Sequence, residues 1–193
     1  MRTAKWSSIM LLMSATPVVA GLADEDGLAA YEVCALCHSL DGVSRMAKFP
    51  KLAGQSVAYI EKQVRDFQSG RRDNDGGQMV SIVSDMSDED ITEAAEWFAS
   101  QPAPLAETKI ALGSGKRMFS EFGCADCHDE QVPDAVKLTA QHKAYLTKQM
   151  VDFRDGRRAN DLGGAMRSSM QGISNSDIEQ IADYLAATQR MAK

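Results

Sequence analysis

The chain is poor in the residues that bind metals or form disulfide bonds, with four cysteines and three histidines among 193 residues. It has no block of lysine and arginine residues, and its formal net charge is −6. Because nucleic-acid binding depends on clustered positive charge, we predict no nucleic-acid partner. The chain also lacks runs of alternating β-branched residues, which argues against a sheet and favours helices.

A long hydrophobic run is missing as well. The mostly apolar stretch over residues 9–19 is well short of the ~20 residues that a membrane-spanning helix needs. Two basic residues precede this stretch and small residues follow it, which is the pattern of a secretory signal peptide. We therefore predict a signal peptide over residues 1–23, cleaved after Ala20 or Ala23. The alternative is an uncleaved membrane anchor, which the short apolar stretch disfavours.

All four cysteines and two of the three histidines lie in two copies of one motif, Cys-x-x-Cys-His, at residues 34–38 and 124–128. In this motif the two thiols attach a haem covalently and the histidine ligates its iron. A pair of disulfides would leave His38 and His128 unexplained, and a zinc site needs four ligands where each motif offers three. The motifs thus predict two haem c groups, bound by Cys34 and Cys37 with His38, and by Cys124 and Cys127 with His128.

The sequence around the motifs is repeated with a period near 90 residues. Residues 51–59 are echoed by residues 137–145, and the echo continues through a Gly-Arg-Arg segment in each half. Such a period is too long for a solenoid and suits a duplicated small domain. Two prolines interrupt the helical pattern between the halves. We predict a first domain over residues 24–100, a linker over 101–106 and a second domain over 107–193.

Apolar residues at helical spacing predict matching helices in the two repeats. The first stripe begins after Ser56, a candidate N-cap, and ends near Gly70. A second helix begins at Ser87, where the spacing resembles a capping box. The apolar positions of these two helices in the first repeat are Val57, Ile60, Val64 and Phe67, then Ile91, Ala94, Ala95 and Phe98. The fold class is therefore all-α.

Each haem iron needs a second axial ligand, and cytochromes c mostly use a methionine there. Of the 11 methionines, Met79 and Met166 occupy matched places in the two halves. Both precede a capping serine, and both are expected in loops rich in glycine or serine. Met86 and Met170 are the rivals, although neither has a methionine opposite it in the other half. We predict Met79 and Met166 as iron ligands.

Some polar residues are left with two interpretations each. His142 is the third histidine, and it is either a ligand of the second haem or, as we expect, a solvated residue at the start of a helix. The pairs Arg71-Arg72 and Arg157-Arg158 either contact haem propionates or a partner, or they are ordinary solvated charges.

With both motifs, the repeat and the methionines in view, the chain resembles the dihaem cytochromes c4. The segments that carry the resemblance are residues 49–55, 59–67 and 79–91, with their counterparts in the second half. The resemblance implies two tandem class I cytochrome c domains, each wrapped around one haem, with the haem edges facing one another. It further implies electron transfer in the periplasm.

The second half departs from this pattern. Val136 stands where the first half has Pro50, Ala140 replaces Gly54, and the loop after His128 is shorter. In the family, the segment around the proline commonly supplies a backbone carbonyl to the proximal histidine, a bond that orients the ring and tunes the metal. We therefore expect the two haems to differ in reduction potential.

Paired axial ligands leave no open iron position for a substrate, so we predict an electron carrier and not an enzyme. The expected donors are a quinol-oxidising complex or a dehydrogenase, and the expected acceptor is a terminal oxidase. Peripheral association with the membrane is compatible with this role. The alternatives are a dihaem subunit of a dehydrogenase, as in flavocytochromes, and a dihaem enzyme such as a peroxidase or a thiosulfate-oxidising cytochrome.

Overall fold

The computed structural model describes residues 27–106, 113–132 and 135–191. In these ranges the regular structure is helical and contains no strand, which confirms the predicted all-α class. The predicted signal peptide, residues 1–23, lies outside the described residues. The helices are α1 (Ala30–His38), α2 (Val57–Gln68), α3 (Gln78–Val83), α4 (Asp88–Ser100), α5 (Gly113–Glu121), α6 (Ala125–His128), α7 (Lys143–Arg154), α8 (Ala165–Ser169) and α9 (Asn175–Ala187), with a 3-10 segment at Leu162–Gly164.

Serine residues cap the N-termini of three of the longer helices. Ser56, Ser87 and Ser174 precede α2, α4 and α9, and each accepts a hydrogen bond from the backbone N–H three residues further on. At α4 the carboxylate of Asp90 accepts in return from the Ser87 N–H, which completes the expected capping box. Gly70 follows α2 with a φ of +71°, as the helix-end prediction requires.

In the first half, α4 packs against α1 and α2, and α3 packs against α2. The side chains between them form a buried apolar core, made of Ile60, Val64, Phe67, Val83, Ile91, Ala95 and Phe98. Cys34 and Met79 are partly buried and pack against this core. The apolar core therefore borders the first predicted haem site directly.

In the second half, α9 packs against α5 and α7, and α8 packs against α7. Two apolar clusters fill these contacts, one around Phe119 and Leu185 and the other around Phe153 and Met170. Between the halves, residues 102–106 lie outside any helix. None of the described helices is long and apolar enough to cross a membrane.

The expectation that Met79 and Met166 lie in loops was wrong. Both belong to short helices, α3 and α8, each of which follows a left-handed glycine. Gly77 and Gly164 have φ values of +83° and +76°, so the chain reverses at the glycine and begins a helical turn at once. A glycine-rich sequence of this kind indicates a turn but does not reveal the helix that follows it.

Helices α5 and α9 approach closely at Gly115. A Cβ atom added to Gly115 would lie 2.1 Å from the carbonyl oxygen of Gln180 in α9. This distance is far below any van der Waals contact, so a larger residue forces the two backbones apart. The glycine at position 115 is therefore a requirement of the packing between these helices.

We predict that Gly115→Ala lowers the free energy of unfolding by about 1–3 kcal/mol, the usual cost of overpacking. Chemical unfolding of the haem-loaded protein measures this change. Gly113→Ala is the matched control, because a Cβ at that position of the same helix meets no atom within 4 Å. Equal stability of the two variants would contradict the proposed close contact.

Ala140 takes a backbone conformation that favours glycine. Its φ is +56°, close to the +67° of Gly54 at the equivalent position of the first half. The turn is retained, because the N–H of Ala140 donates to the Leu185 carbonyl as that of Gly54 donates to the Phe98 carbonyl. An alanine in the left-handed region costs roughly 1–2 kcal/mol.

We predict that Ala140→Gly raises the free energy of unfolding by up to about 1 kcal/mol, since relief of backbone strain is partly offset by the entropy of glycine. The reverse change, Gly54→Ala, is expected to destabilise by a similar amount. Its Cβ would meet Ala103 no closer than 3.4 Å, so backbone strain is its main cost. Thermal unfolding of both variants is the measurement, and destabilisation by Ala140→Gly contradicts this reasoning.

Candidate functional site

His38 ends α1 and is buried. Its Nδ1 lies 2.9 Å from the carbonyl oxygen of Pro50. A carbonyl oxygen only accepts, so Nδ1 carries the proton and Nε2 retains a lone pair. Burial lowers the pKa of His38, and the bond to Pro50 opposes this only in part. The imidazole is therefore neutral, the form in which histidine binds metals.

A cavity of about 490 Å³ adjoins His38, and Cys37 and Met79 also line it. This volume lies within the range of about 300–1,000 Å³ that is usual for cofactor and ligand sites. Leu138 and Tyr145 of the second half form part of its wall. The structure thus brings three of the predicted ligands of the first haem to one cavity, which the two halves enclose together.

The cysteines lie beside the cores. Cys34 packs against the core of the first half and Cys124 against a cluster of the second, while Cys127 is exposed. No disulfide joins any of the four. Burial, with a smaller contribution from Cys37, raises the pKa of Cys34 to about 11. Burial also raises the pKa of Cys124.

The second predicted pair of axial ligands also lies together. Nε2 of His128 is 3.3 Å from Sδ of Met166, so the two atoms face one another. The rival methionines are placed differently: Met170 is a buried member of the cluster around Phe153, and Met86, unlike Met79, is not among the residues that line the cavity beside His38. The matched positions in sequence therefore correspond to matched positions in space.

His38 and His128 differ in the hydrogen bonding of Nδ1. Nδ1 of His128 is buried and has no hydrogen bond of normal geometry. Burial lowers the pKa of His128, and the nearby backbone of Val136 opposes this shift. Val136 thus stands close to the histidine, as Pro50 does in the first half, without forming the short bond that His38 makes. The departure in sequence coincides with a departure in geometry.

Arg72 and Arg158 are buried at the contact between the halves, 5% and 6% exposed, so solvated charge was the wrong interpretation for these two residues. Each guanidinium donates to the side-chain oxygens of Gln63 and Gln149, one from each half, over distances of 2.8–3.0 Å. Arg72 also donates to the Tyr145 hydroxyl at 3.0 Å. The neighbouring arginines of each pair are exposed and form ion pairs.

Two carboxylates also accept hydrogen bonds across this contact, one in each half. Asn160 donates to Asp66 and Asn74 donates to Asp152, each at 2.6 Å and each across the halves. Burial alone would raise the pKa of Asp66, but hydrogen bonds from Lys62, Asn160 and an arginine outweigh it and lower the pKa. Each of these arginine and asparagine bonds to the other half has a counterpart in which the two halves are exchanged. An approximate twofold axis therefore relates the halves.

Two glutamines form a second reciprocal pair. Gln141 holds both backbone groups of Lys51, accepting from its N–H and donating to its carbonyl, both at 2.9 Å. Gln55 holds Lys137 in the same manner, with both distances at 3.2 Å. Lys51 follows Pro50, and Lys137 follows Val136. Each half therefore binds the backbone of the other half at the residue that follows the carbonyl nearest the proximal histidine.

His142 is not solvated, contrary to the expectation from sequence. It precedes α7 as expected but is only 7% exposed. Its Nε2 lies 2.9 Å from the carbonyl oxygen of Ser44 and 3.1 Å from the Ser44 hydroxyl, both in the other half. The loop after His38 covers the start of α7, and this long-range contact has no signature in the local sequence.

Sequence reasoning missed these interface residues as a group, although a signal was available. Five pairs of equivalent polar residues contribute side chains to the contact between the halves: Gln55 and Gln141, Gln63 and Gln149, Asp66 and Asp152, Arg72 and Arg158, and Asn74 and Asn160. Their recurrence in both repeats was the available signal, although recurring residues such as Arg71 and Arg157 remain exposed.

The residues present fit a covalently bound haem. The first site combines thiols, a neutral imidazole and a thioether with a largely apolar cavity, and Arg72 places a buried positive charge at its wall. Among the described residues no three histidine, cysteine or acidic side chains come together as a separate metal site. A histidine nitrogen together with a methionine sulfur is a donor pair that haem iron uses in cytochromes c.

Known proteins resemble this chain over nearly its whole length. The Cytochrome c family model matches residues 113–189. Cytochrome c4 of Pseudomonas aeruginosa is 33% identical, over 92% of this chain and 95% of its own. The thiosulfate dehydrogenase electron acceptor of Stutzerimonas stutzeri is 30% identical over 79% of this chain and 77% of its own. The crystal structure of reduced recombinant cytochrome c4 from Pseudomonas stutzeri superposes with a TM-score of 0.68 at 31% identity, covering 87% and 99% of the two chains.

Proposed function

Because the chain belongs to the cytochrome c4 family, whose members transfer electrons, we propose that it is a dihaem electron carrier of the periplasm. The fold is that of class I cytochromes c, and its relatives are named as carriers and electron acceptors, not as enzymes. Export through the signal peptide at residues 1–23 belongs to this proposal. The observation that carries it is the recurrence of one donor set in both halves.

The proposed ligands follow from that donor set. Cys34 and Cys37 hold the first haem, with His38 and Met79 at its iron; Cys124 and Cys127 hold the second, with His128 and Met166 at its iron. Support comes from the shared cavity of the first set and from the 3.3 Å approach of His128 to Met166 in the second. Bound haem supplies reversible one-electron chemistry.

The chain's own residues make this a carrier site and not a catalytic one. With haem bound, a histidine and a methionine would both ligate each iron, which would leave no open position for a substrate. The apolar side chains around the cavity exclude water, and the core of α2 and α4 keeps the ligands in place during a change of charge. Arg72 and Arg158 supply buried positive charge that suits haem propionates.

The relatives also bear on the partners. We propose a quinol-oxidising complex or a dehydrogenase as donor and a terminal oxidase as acceptor. A second role, as the dihaem subunit of a dehydrogenase complex, is favoured by the relative named thiosulfate dehydrogenase electron acceptor. Gentle purification from the native cell separates the two roles: a stoichiometric dehydrogenase subunit supports the second, and a lone dihaem protein supports the first.

We predict that Met79→Ala and Met166→Ala each remove about half of the methionine-to-iron charge-transfer band of the oxidised protein. The physical reason is that each methionine contributes the sulfur ligand of one iron. Absorption spectroscopy at equal haem content measures the band. Met86→Leu is the control, because Met86 packs in the core and should leave the band intact. A full band in either alanine variant removes that methionine as a ligand.

We further predict two reduction potentials, with the second haem at the higher value. A hydrogen bond from Nδ1 to a carbonyl makes the imidazole a stronger donor, which favours ferric iron and lowers the potential. His38 forms this bond at 2.9 Å, whereas Nδ1 of His128 has no hydrogen bond of normal geometry and interacts only more weakly with the backbone of Val136. A redox titration that assigns each haem by its proton NMR signals is the measurement. A single midpoint, or a lower value for the second haem, contradicts the prediction.

A further inference from the structure

Residues 44–51 of the first half lie between His38 and the second half. Within this segment, the Pro50 carbonyl accepts the hydrogen bond from His38. The next residue, Lys51, is fixed through both of its backbone groups by Gln141 of the other half. Both Lys51 and Gln141 are buried, so water does not compete for these bonds. The position of the Pro50 carbonyl is therefore set in part from across the interface.

The other end of the segment is held from the second half as well. His142 meets the carbonyl of Ser44, which only accepts, so Nε2 of His142 carries a proton and donates it. The Ser44 hydroxyl in turn donates to the Phe49 carbonyl at 2.6 Å. Phe49 immediately precedes Pro50. The contact made by His142 thus extends through Ser44 to the residue beside the critical carbonyl.

The mirror-image site has only one of these two anchors. Gln55 holds Lys137, but with longer bonds of 3.2 Å. At the position equivalent to His142 the first half has Ser56, which caps its own helix by accepting from the N–H of Tyr59. Among the described residues, the bonds from the opposite half are therefore longer beside Val136 than beside Pro50. The second half, whose segment beside Val136 has only one anchor, is also the half in which Nδ1 of the histidine has no hydrogen bond of normal geometry.

We propose that each half of the molecule positions the proximal histidine of the other, and that Gln141 and His142 do this for the first haem more firmly than Gln55 does for the second. These are positioning residues, since they act through a backbone carbonyl and do not touch the iron. The inference rests on the proposed ligation by His38 and His128. Its consequence is that the contact between the halves sets the two reduction potentials separately.

The test compares two variants of the haem-loaded full chain, Gln141→Ala and Gln55→Ala. Each removes one glutamine from the same interface, so each serves as the control for the other. Gln141→Ala should raise the potential of the first haem and leave the second unchanged, because a freer Pro50 carbonyl weakens the bond to His38. Gln55→Ala should raise the potential of the second haem more than that of the first, whose cavity Gln55 also lines, and by a smaller shift than Gln141→Ala gives at the first haem. Redox titration with each haem followed by its own NMR signals gives both values.

His142→Ser tests the extra anchor. It places in the second half the residue that the first half has at this position, so a good cap for α7 is retained. We expect a rise in the potential of the first haem alone. His142→Gln is the conservative variant, because its amide donor is able to reach the Ser44 carbonyl, and it should restore most of the original potential.

Two outcomes overturn the inference. If the three disruptive variants move both potentials together, they only loosen the interface; if they move neither, the carbonyls do not depend on the other half. Haem content and the methionine charge-transfer band are recorded in the same samples. A failure of the proposed function shows there, as fewer than two haems or a missing band in the parent protein, and is thus distinct from unmoved potentials in an intact dihaem protein.

Discussion

The burial of two guanidinium groups between the halves is the constraint on which the rest of the structure depends. A buried charge is costly unless its hydrogen bonds are satisfied, and Arg72 and Arg158 satisfy theirs with side chains from both halves. Separating the halves would break every one of these cross-contacts at once. The interface therefore holds the two proposed haem sites in one fixed relation, and it allows the wall of the first cavity to be built from both halves.

Duplication explains why the interface is symmetric, and its imperfections explain why the sites are not equal. The glutamine, arginine and asparagine residues recur, so a bond that one half makes to the other is repeated in the opposite direction. Val136 and Ala140, however, differ from their first-half equivalents Pro50 and Gly54 at the turn beside His128. The chain retains the hydrogen bonds that this turn needs, but at the cost of a left-handed alanine. Substitution has thus acted on the surroundings of one iron and left the contact between the halves intact.

Local features could be predicted from the sequence, and contacts between distant residues could not. The caps at Ser56 and Ser87 depend on neighbours within one helical turn, and the Cys-x-x-Cys-His motifs contain their own chemistry. The short helix at Met79 was missed because it starts at a left-handed glycine. Nothing in the sequence distinguishes this glycine from an ordinary loop glycine. The burial of His142 was missed for a different reason: its partner, Ser44, is 98 residues away in the chain.

An electron carrier benefits from this separation of tasks. Fast transfer requires that the ligands move little when the iron changes charge, and a rigid core around each site provides that. Tuning requires a contact that changes the donor strength of a ligand without altering the ligand itself. A backbone carbonyl held from the opposite half meets this need, since its position depends on side chains other than the proposed iron ligands. Because the halves supply one another's anchors, two potentials are set within a single fold, and neither half alone contains all the residues that determine its own.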